Sequence, residues 1–237
     1  MEISVLFFDA YGTILEDIKY TILEVSENIV NDYELGMTGE DFLDEWSEKF
    51  WDVLDNDFHT IKEANEMSLG MMFKDHKIKS DPLEYTESLH QRWFYADIYP
   101  EVKKILELLH EIPKCVVSNA DDDFLSACLE SNDLSFDEVI TSESTKSYKP
   151  AKKIFRAALK KMGCRPGEAM HLGDSLDRDV VGAANSGIPA IWVNREKERL
   201  GSAPTKPALE VPDLEGLPHL FGLEEKSIEE SENPSDE

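Results

Sequence analysis

The chain of 237 residues is long enough for one large domain that carries an insertion, and its 41% content of hydrophobic residues excludes a disordered protein. The formal net charge of −26 excludes a general nucleic-acid-binding protein and disfavours contact with anionic membranes. No apolar run reaches the length of a membrane-spanning helix, no basic flank marks a signal peptide, and the three cysteines lack metal-binding spacing. We therefore expect a cytoplasmic globular protein.

The first predicted element is a buried strand over residues 3–8, after which residues 9–15 leave the sheet through Gly12. From about residue 19 to residue 97 the apolar residues recur at helical spacing; for example, Phe42, Trp46 and Phe50 share one helix face. We predict roughly four helices and no strand in this stretch. It is therefore interpreted as a helical insertion that directly follows the first strand.

From residue 99 onward helices and strands alternate. Helices are predicted over 99–111, 122–131, 151–162 and 177–186, and strands over 114–117, 138–141, 169–172 and 190–193. Pro150 is expected at the first position of its helix, and Gly187 is expected to end the helix over 177–186. This alternation predicts an α/β fold with a doubly wound parallel sheet. The acidic stretch 223–237 is predicted to be a disordered tail.

Four short segments close a predicted strand or lie just beyond one. They contain Asp9, Ser118, Lys149 and Asp174, and the last is followed by Asp179. A parallel sheet gathers the carboxyl ends of its strands along one edge, where ligands bind. The segments therefore predict one reaction centre.

Each of these residue types suits a defined chemical role. A strand-end carboxylate such as Asp9 is placed to act as a nucleophile, and carboxylates such as Asp174 and Asp179 suit Mg²⁺. The Ser118 hydroxyl and its neighbouring amides suit a phosphoryl oxygen, and the Lys149 ammonium can neutralise a transferring group. Taken one at a time, the same residues would be turn aspartates, a turn serine and a surface lysine.

Other polar residues near these segments have structural interpretations. We expect the run Asp121-Asp122-Asp123 to cap the helix over 122–131 and to complement its dipole rather than to form a second metal site. Ser175 is expected to cap the next helix. Cys115 and Cys128 are interpreted as small buried hydrophobic residues.

In their order and spacing the four segments resemble the four motifs of the haloacid dehalogenase superfamily. The resemblance implies a core formed by residues 1–15 and 97–222, with residues 16–96 as an inserted helical cap. It also implies that Asp9, the backbone carbonyl of Tyr11 and Asp174 bind Mg²⁺, and that Asp179 supports the ion directly or through water.

The same resemblance implies the remaining site residues. Asp9, Ser118 and Lys149 would be catalytic, and Ser118, Thr13 and Asn119 would bind the substrate, a small molecule. The oligomeric state is left undetermined.

Departures from the phosphatase pattern and from the dehalogenase pattern point in opposite directions. Tyr11 stands where phosphatases of the superfamily carry a second aspartate, and Asp-Ala-Tyr-Gly-Thr at residues 9–13 resembles the first motif of 2-haloacid dehalogenases. Those dehalogenases have a non-acidic residue at the position of Asp174 and an arginine on a cap helix, whereas Arg92 is the only arginine of the insertion. A tyrosine expected six residues after Lys149 is Phe155.

These departures leave three functions open. The favoured one is Mg²⁺-dependent hydrolysis of a small phosphorylated or otherwise activated substrate through an aspartyl intermediate on Asp9. The second is a metal-independent 2-haloacid dehalogenase. The third is a catalytically weak relative that binds a ligand or a protein partner.

Overall fold

The protein is built around a parallel sheet of six strands with helices on both faces. A computed structural model of the chain describes residues 3–201 and 204–223. The strands are β1 (Val5–Phe8), β2 (Lys114–Ser118), β3 (Glu138–Thr141), β4 (Ala169–Gly173), β5 (Ala190–Val193) and β6 (Leu209–Val211). Their order is β3-β2-β1-β4-β5-β6, and every neighbouring pair is parallel. The predicted α/β fold with a doubly wound parallel sheet is confirmed.

The helices follow the predicted alternation, with five of them between β1 and β2. The α-helices are α1 (Lys19–Asp32), α2 (Gly39–Asn56), α3 (Ile61–Asp75), α4 (Leu83–Phe94), α5 (Val102–Leu108), α6 (Asp122–Ser131), α7 (Ser142–Thr145), α8 (Lys152–Met162), α9 (Gly182–Asn185) and α10 (Leu217–Leu220). A 3₁₀ turn (Pro166–Glu168) precedes β4, and a π-helical segment (Leu176–Val181) precedes α9.

The central strands are hydrophobic on both sides because both faces of the sheet are covered. Leu6 and Phe8 of β1 join one buried cluster with residues of α5, α6 and α10. Val5 and Phe7 join a second cluster with residues of α8 and α9. Successive side chains of a strand point to opposite faces, so the continuous apolar run of β1 supplies both cores.

The strand register aligns the four predicted motif segments. Phe8, the last residue of β1, lies opposite Val116 of β2 and opposite Leu172 of β4. Asp9 follows immediately and donates its backbone N–H to the Leu172 carbonyl over 2.8 Å. Ser118 stands two residues beyond Val116, and the motif loops therefore meet at the carboxyl edge of the sheet.

Helices α1 to α4 pack around their own buried cluster. It contains Ile29, Phe42, Trp46, Leu69 and Trp93, together with Phe124 of α6. Trp46 is only 2% exposed, and its indole N–H donates to the Ser68 hydroxyl. The division of the chain into a core (1–15 and 97–222) and a cap (16–96) stays a prediction.

Three predicted helix boundaries are wrong. Pro150 does not occupy the first position of α8. The helix begins at Lys152 after its N-cap Ala151, and Pro150 precedes Ala151 and follows a cis peptide bond with Lys149. The helix expected over 99–111 is limited to Val102–Leu108. The helix expected over 177–186 begins earlier and as a π-helical segment, and Gly187 follows it with a φ of +80°.

Two further sequence expectations concern the acidic tail and the absence of a membrane-spanning helix. The predicted acidic tail falls mainly on residues 224–237, which lie outside the described residues. Within 3–201 and 204–223, no helix has both the length and the apolar character that crossing a bilayer requires.

Candidate active site

Asp9, Lys149 and Asp179 form a buried charge cluster at the carboxyl edge of the sheet. The Lys149 Nζ lies 2.6 Å from Asp9 Oδ1 and 2.6 Å from Asp179 Oδ1, and all three residues are buried. Burial alone lowers the pKa of Lys149, but attraction by Asp179 and Asp9 outweighs it and raises that pKa above its ordinary value. The lysine is therefore held charged between two carboxylates.

Asp179 is the most fully bonded carboxylate of the cluster. Its Oδ1 accepts from Lys149 and lies 2.8 Å from His171 Nε2, while its Oδ2 accepts the Ser175 backbone N–H over 3.1 Å. Burial raises the pKa of Asp179, but Lys149 and His171 more than compensate and hold it well below its usual range. Asp179 is therefore an ionised anchor for Lys149.

Asp174 is placed by backbone contacts next to Gly12. Its backbone carbonyl accepts the indole N–H of Trp192 over 2.7 Å. A Cβ at Gly12, whose φ is +87°, would stand 2.5 Å from Asp174 Oδ2, so glycine is required there for the close approach. Burial, followed by repulsion from Asp9 and Asp179, raises the pKa of Asp174 well above its ordinary value.

The three carboxylates together fit a divalent cation. Asp9, Asp174 and Asp179 each offer an oxygen, and these atoms all lie within 4.8 Å of one another. Burial raises the pKa of Asp9 as well, against the opposing effect of Lys149. Hard carboxylate oxygens are the ligands that Mg²⁺ prefers, and like-charge repulsion of this kind is what a bound cation relieves.

Asn119 contacts this cluster through Lys149, and Ser118 and Thr13 lie in two of the motif segments. Asn119 accepts the Lys149 backbone N–H over 2.6 Å and donates from Nδ2 to the Lys149 carbonyl, so it ties the second motif loop to the third. Ser118 is the last residue of β2 and is 1% exposed. The Thr13 hydroxyl is buried and has no hydrogen-bond partner among the described residues.

Tyr11 points its hydroxyl away from the carboxylates. The Oη donates to the backbone carbonyl of Trp93 in α4 over 2.9 Å, and the ring lies 5.9 Å from the Trp93 ring. Burial, followed by the influence of Cys128, raises the pKa of Tyr11 above its ordinary value. The residue in the second-aspartate position therefore joins β1 to α4 and is not poised for proton transfer at neutral pH.

The Asp121 side chain was predicted to cap α6, but it caps α3 instead. Asp121 is the N-cap residue of α6 and Asp122 and Asp123 lie in the first turn, as predicted, but the Asp121 side chain makes no hydrogen bond to that helix. Its two carboxylate oxygens accept the backbone N–H groups of Ile61 (2.7 Å) and Lys62 (3.0 Å), at the start of α3. Ser175 does cap the following segment, since its hydroxyl accepts the Arg178 backbone N–H.

A cavity of about 330 Å³ lies between these loops and helices α1 to α4. Tyr11, Asn119, Tyr148 and Arg178 border it on the side of the motif loops. A larger depression of about 820 Å³ lies near α5 and α10, but none of the predicted site residues lines it. The smaller cavity is therefore the candidate substrate site.

Sequence reasoning missed two residues of this region. His171 was overlooked because it lies inside β4, although a histidine in an apolar strand was a usable signal. The sequence analysis assigned no role to Arg178, yet its guanidinium lies 4.2 Å from the centre of the Trp51 ring. Neither contact follows from local sequence pattern.

Comparisons with known proteins show the family and the fold of the chain. A family model described as "Hydrolase: haloacid dehalogenase-like hydrolase" matches residues 3–187. The structure resembles that of L-2-haloacid dehalogenase from Xanthobacter autotrophicus, with a TM-score of 0.74, 20% identity and coverage of 93% of this chain and 98% of that one. At this identity the likeness shows the fold.

Two curated relatives differ in activity. (S)-2-haloacid dehalogenase H-109 of Pseudomonas putida is 24% identical over 88% of this chain and 93% of its own length. Glyceraldehyde 3-phosphate phosphatase of Methanothermobacter thermautotrophicus is 44% identical over 61 residues, which are 26% of this chain and about a quarter (27%) of the phosphatase. Both relatives are hydrolases, and the resemblance inferred from the four motifs is confirmed. This chain belongs to the haloacid dehalogenase-like hydrolase family.

Proposed function

We propose that the protein is a Mg²⁺-dependent hydrolase that acts on small phosphorylated substrates through a covalent intermediate on Asp9. The observation that supports this most is the cluster of Asp9, Asp174 and Asp179, whose oxygens lie within 4.8 Å of one another. The Lys149 ammonium contacts two of these carboxylates, those of Asp9 and Asp179. Three carboxylates and one ammonium leave an excess of negative charge in a buried site. An anionic phosphoryl group requires that excess to be neutralised by a cation.

In this proposal Asp9, Asp174 and the backbone carbonyl of Tyr11 hold the Mg²⁺ ion. Both oxygens of Asp179 already accept hydrogen bonds, so Asp179 supports the ion through water. The bound ion supplies positive charge next to the transferring phosphoryl group. The chemistry of the donor set supports this assignment, because all the ligands are oxygens.

The reaction divides into two displacements at phosphorus. An oxygen of Asp9 attacks the phosphorus atom, the bond to the ester oxygen breaks, and the departing oxygen takes a proton from water. A second water then attacks the phosphorus of the aspartyl phosphate, the bond to Asp9 breaks, and phosphate leaves. The proton released by this attacking water neutralises the hydroxide left by the first step. The balance is one ester and one water giving one alcohol and one phosphate.

Ser118, Asn119, Thr13 and Lys149 bind and orient the phosphoryl group. Lys149 lies 2.6 Å from Asp9 and favours the ionised form of the nucleophile against the effect of burial. The unpartnered hydroxyl of Thr13 is a free hydrogen-bonding group in the first loop. Asn119 positions Lys149 through two hydrogen bonds to its backbone.

The preferred substrates are those with good leaving groups. Tyr11 is turned away towards α4, so no side chain of the first loop serves as a general acid at the second-aspartate position. General acid–base catalysis typically contributes about 10²–10⁴ in rate, and that share is lost for poor leaving groups. Acyl and aryl phosphates therefore react faster than alkyl phosphates.

A panel of acyl, aryl and alkyl phosphates, assayed with Mg²⁺ and with EDTA, tests the proposal. We expect turnover that requires Mg²⁺, that decreases with rising pKa of the leaving alcohol, and that is abolished by Asp9→Asn. Turnover in EDTA, or activity that survives Asp9→Asn, contradicts it.

One observation favours a second candidate, a 2-haloacid dehalogenase. Arg178 borders the cavity and makes no ion pair within residues 3–201 and 204–223, so its guanidinium is available to a substrate carboxylate. The cap arginine Arg92 is instead paired with Glu16 and Asp97 and does not line the cavity. Chloride release from 2-chloropropionate in the presence of EDTA distinguishes this activity.

The engaged hydroxyl of Tyr11 also favours a third candidate, a catalytically weak relative that binds a ligand or a partner. Such a protein would be stabilised by Mg²⁺ together with phosphate, because a ligand that binds the folded state raises its melting temperature. A clear rise in melting temperature without turnover of any ester in the panel identifies it.

A further inference from the structure

Several aromatic rings line the cavity beside the motif loops. Trp46, Phe50, Trp51 and Trp93 border it from α2 and α4, facing Tyr148 near Lys149. Its volume of about 330 Å³ lies at the lower end of the range for small-molecule sites. Such a cavity accommodates one flat apolar group next to the transferring phosphoryl group.

Two buried polar groups of this cavity have no partner. The Asn65 Nδ2 in α3 and the Trp93 Nε1 in α4 are inaccessible to solvent and make no hydrogen bond to a described residue. Both residues line the cavity, and their side chains are 6% and 8% exposed. A buried donor without an acceptor is costly, so such groups are normally satisfied.

The neighbouring donors show that the fold satisfies such groups elsewhere. The indole N–H of Trp46, which borders the same cavity, donates to Ser68 Oγ over 2.8 Å, and the Ser68 hydroxyl donates to the Asn65 backbone carbonyl. The indole N–H of Trp192 donates to the Asp174 carbonyl. Trp93 is therefore an exception at the wall of the cavity, and an indole N–H can only donate.

We propose that Asn65 and Trp93 are specificity-determining residues that donate hydrogen bonds to one oxygen on the leaving group of the substrate. The leaving group is then a flat apolar moiety, such as an aromatic ring, that carries a hydroxyl or carbonyl oxygen. This inference rests on the proposed function, because that function places the phosphoryl group at Asp9 and the leaving group in the cavity. A site built to bond an oxygen rejects the analogue that lacks it, since its own donors are then left unpaired.

Two substitutions remove the donors with little change of shape. Asn65→Leu replaces the amide by an apolar group of similar size, and Trp93→Phe keeps an aromatic ring against Phe124, whose ring centre lies 5.1 Å away. Thr86→Val is the matched control, because the Thr86 hydroxyl in α4 is equally buried and unpartnered but does not border the cavity.

Binding is measured by calorimetry in Asp9→Asn enzyme with Mg²⁺, so that no ligand is turned over. The probes are 2-phenylethyl phosphate and its 3-hydroxyphenyl and 4-hydroxyphenyl analogues, in which two methylene groups insulate the ester from the ring hydroxyl. We expect at least one hydroxylated probe to bind about tenfold or more tightly than the parent. Asn65→Leu or Trp93→Phe should reduce this ratio to below about threefold, whereas Thr86→Val should retain it.

Hydrolysis of p-nitrophenyl phosphate by the unsubstituted enzyme separates this inference from the proposed function. Hydrolysis with equal binding of all probes overturns the inference and leaves the function standing. Discrimination between the probes without hydrolysis overturns the function and supports the inference. If p-nitrophenyl phosphate is not hydrolysed and all probes bind equally, both the proposed function and the inference are overturned. The comparison in Asp9→Asn enzyme needs no cavity variant, so it decides the inference even if Asn65→Leu or Trp93→Phe does not fold.

Discussion

The buried ammonium of Lys149 is the clearest place to test the charge balance of the site. Lys149 is 2% exposed and lies 2.6 Å from an oxygen of each of two buried carboxylates, Asp9 and Asp179. Lys149→Met keeps most of the side-chain volume and removes the charge. The two carboxylates then lose their common counter-ion inside the protein.

The expected loss is large because the partners stay buried. Removing one member of a buried ion pair typically costs about 3–5 kcal/mol in the free energy of unfolding. For a domain of this size, 1 kcal/mol corresponds to about 2–4 °C in the melting temperature, so the expected decrease is roughly 6–20 °C. Urea denaturation at neutral pH without Mg²⁺ measures the free energy directly.

Lys114→Met is the matched control for this measurement. Lys114 is also buried, but its Nζ donates to the backbone carbonyls of Leu109 and Ile112 and not to a carboxylate. Its removal leaves no carboxylate without a counter-ion, and we expect a smaller loss of about 1–3 kcal/mol. If Lys149→Met costs no more than Lys114→Met, the assignment of Lys149 as the counter-ion of the site is refuted.

Three further predictions follow from individual contacts. Gly12→Ala should lose about 1–3 kcal/mol more stability than Gly36→Ala in urea denaturation, because both glycines have positive φ but only the Cβ at Gly12 meets Asp174; equal losses contradict this. Burial raises the pKa of Asp121 to about 6 from 3.8, so the folded state holds that proton more tightly and ionisation destabilises it. As the pH rises from about 4 to 6, the free energy of unfolding of the wild type should therefore fall by roughly 2–3 kcal/mol relative to that of Asp121→Asn. A difference in urea midpoint between the two proteins that does not change with pH contradicts this. Tyr11→Phe should cost about 1 kcal/mol through the lost hydrogen bond to α4 and leave the shape of the pH profile of kcat unchanged; loss of one limb of that profile would make Tyr11 a proton donor after all.

Much of the fold was predictable because its determinants are local. Hydrophobic runs and turn residues placed the strands over 138–141 and 190–193 and the helix over 122–131 where the structure has them. The strand β6 was missed, because Leu209–Val211 is short and mostly exposed and so lacks an apolar pattern. Because the carboxyl ends of parallel strands share an edge, the sequence also predicted that Asp9, Ser118 and Asp174 would meet. The roles assigned to these residues, the cytoplasmic location and the domain boundaries stay predictions.

The partners of the site residues were decided only by the tertiary structure. Asp121 has the sequence context of a cap for α6 but caps α3, about sixty residues away along the chain. Tyr11 donates to α4 and His171 bonds Asp179, and both contacts depend on how helices and strands pack. Sequence pattern specifies hydrogen bonds within one element, since those repeat with its period. A hydrogen bond between distant elements depends on their relative position, which the packing of the whole core sets.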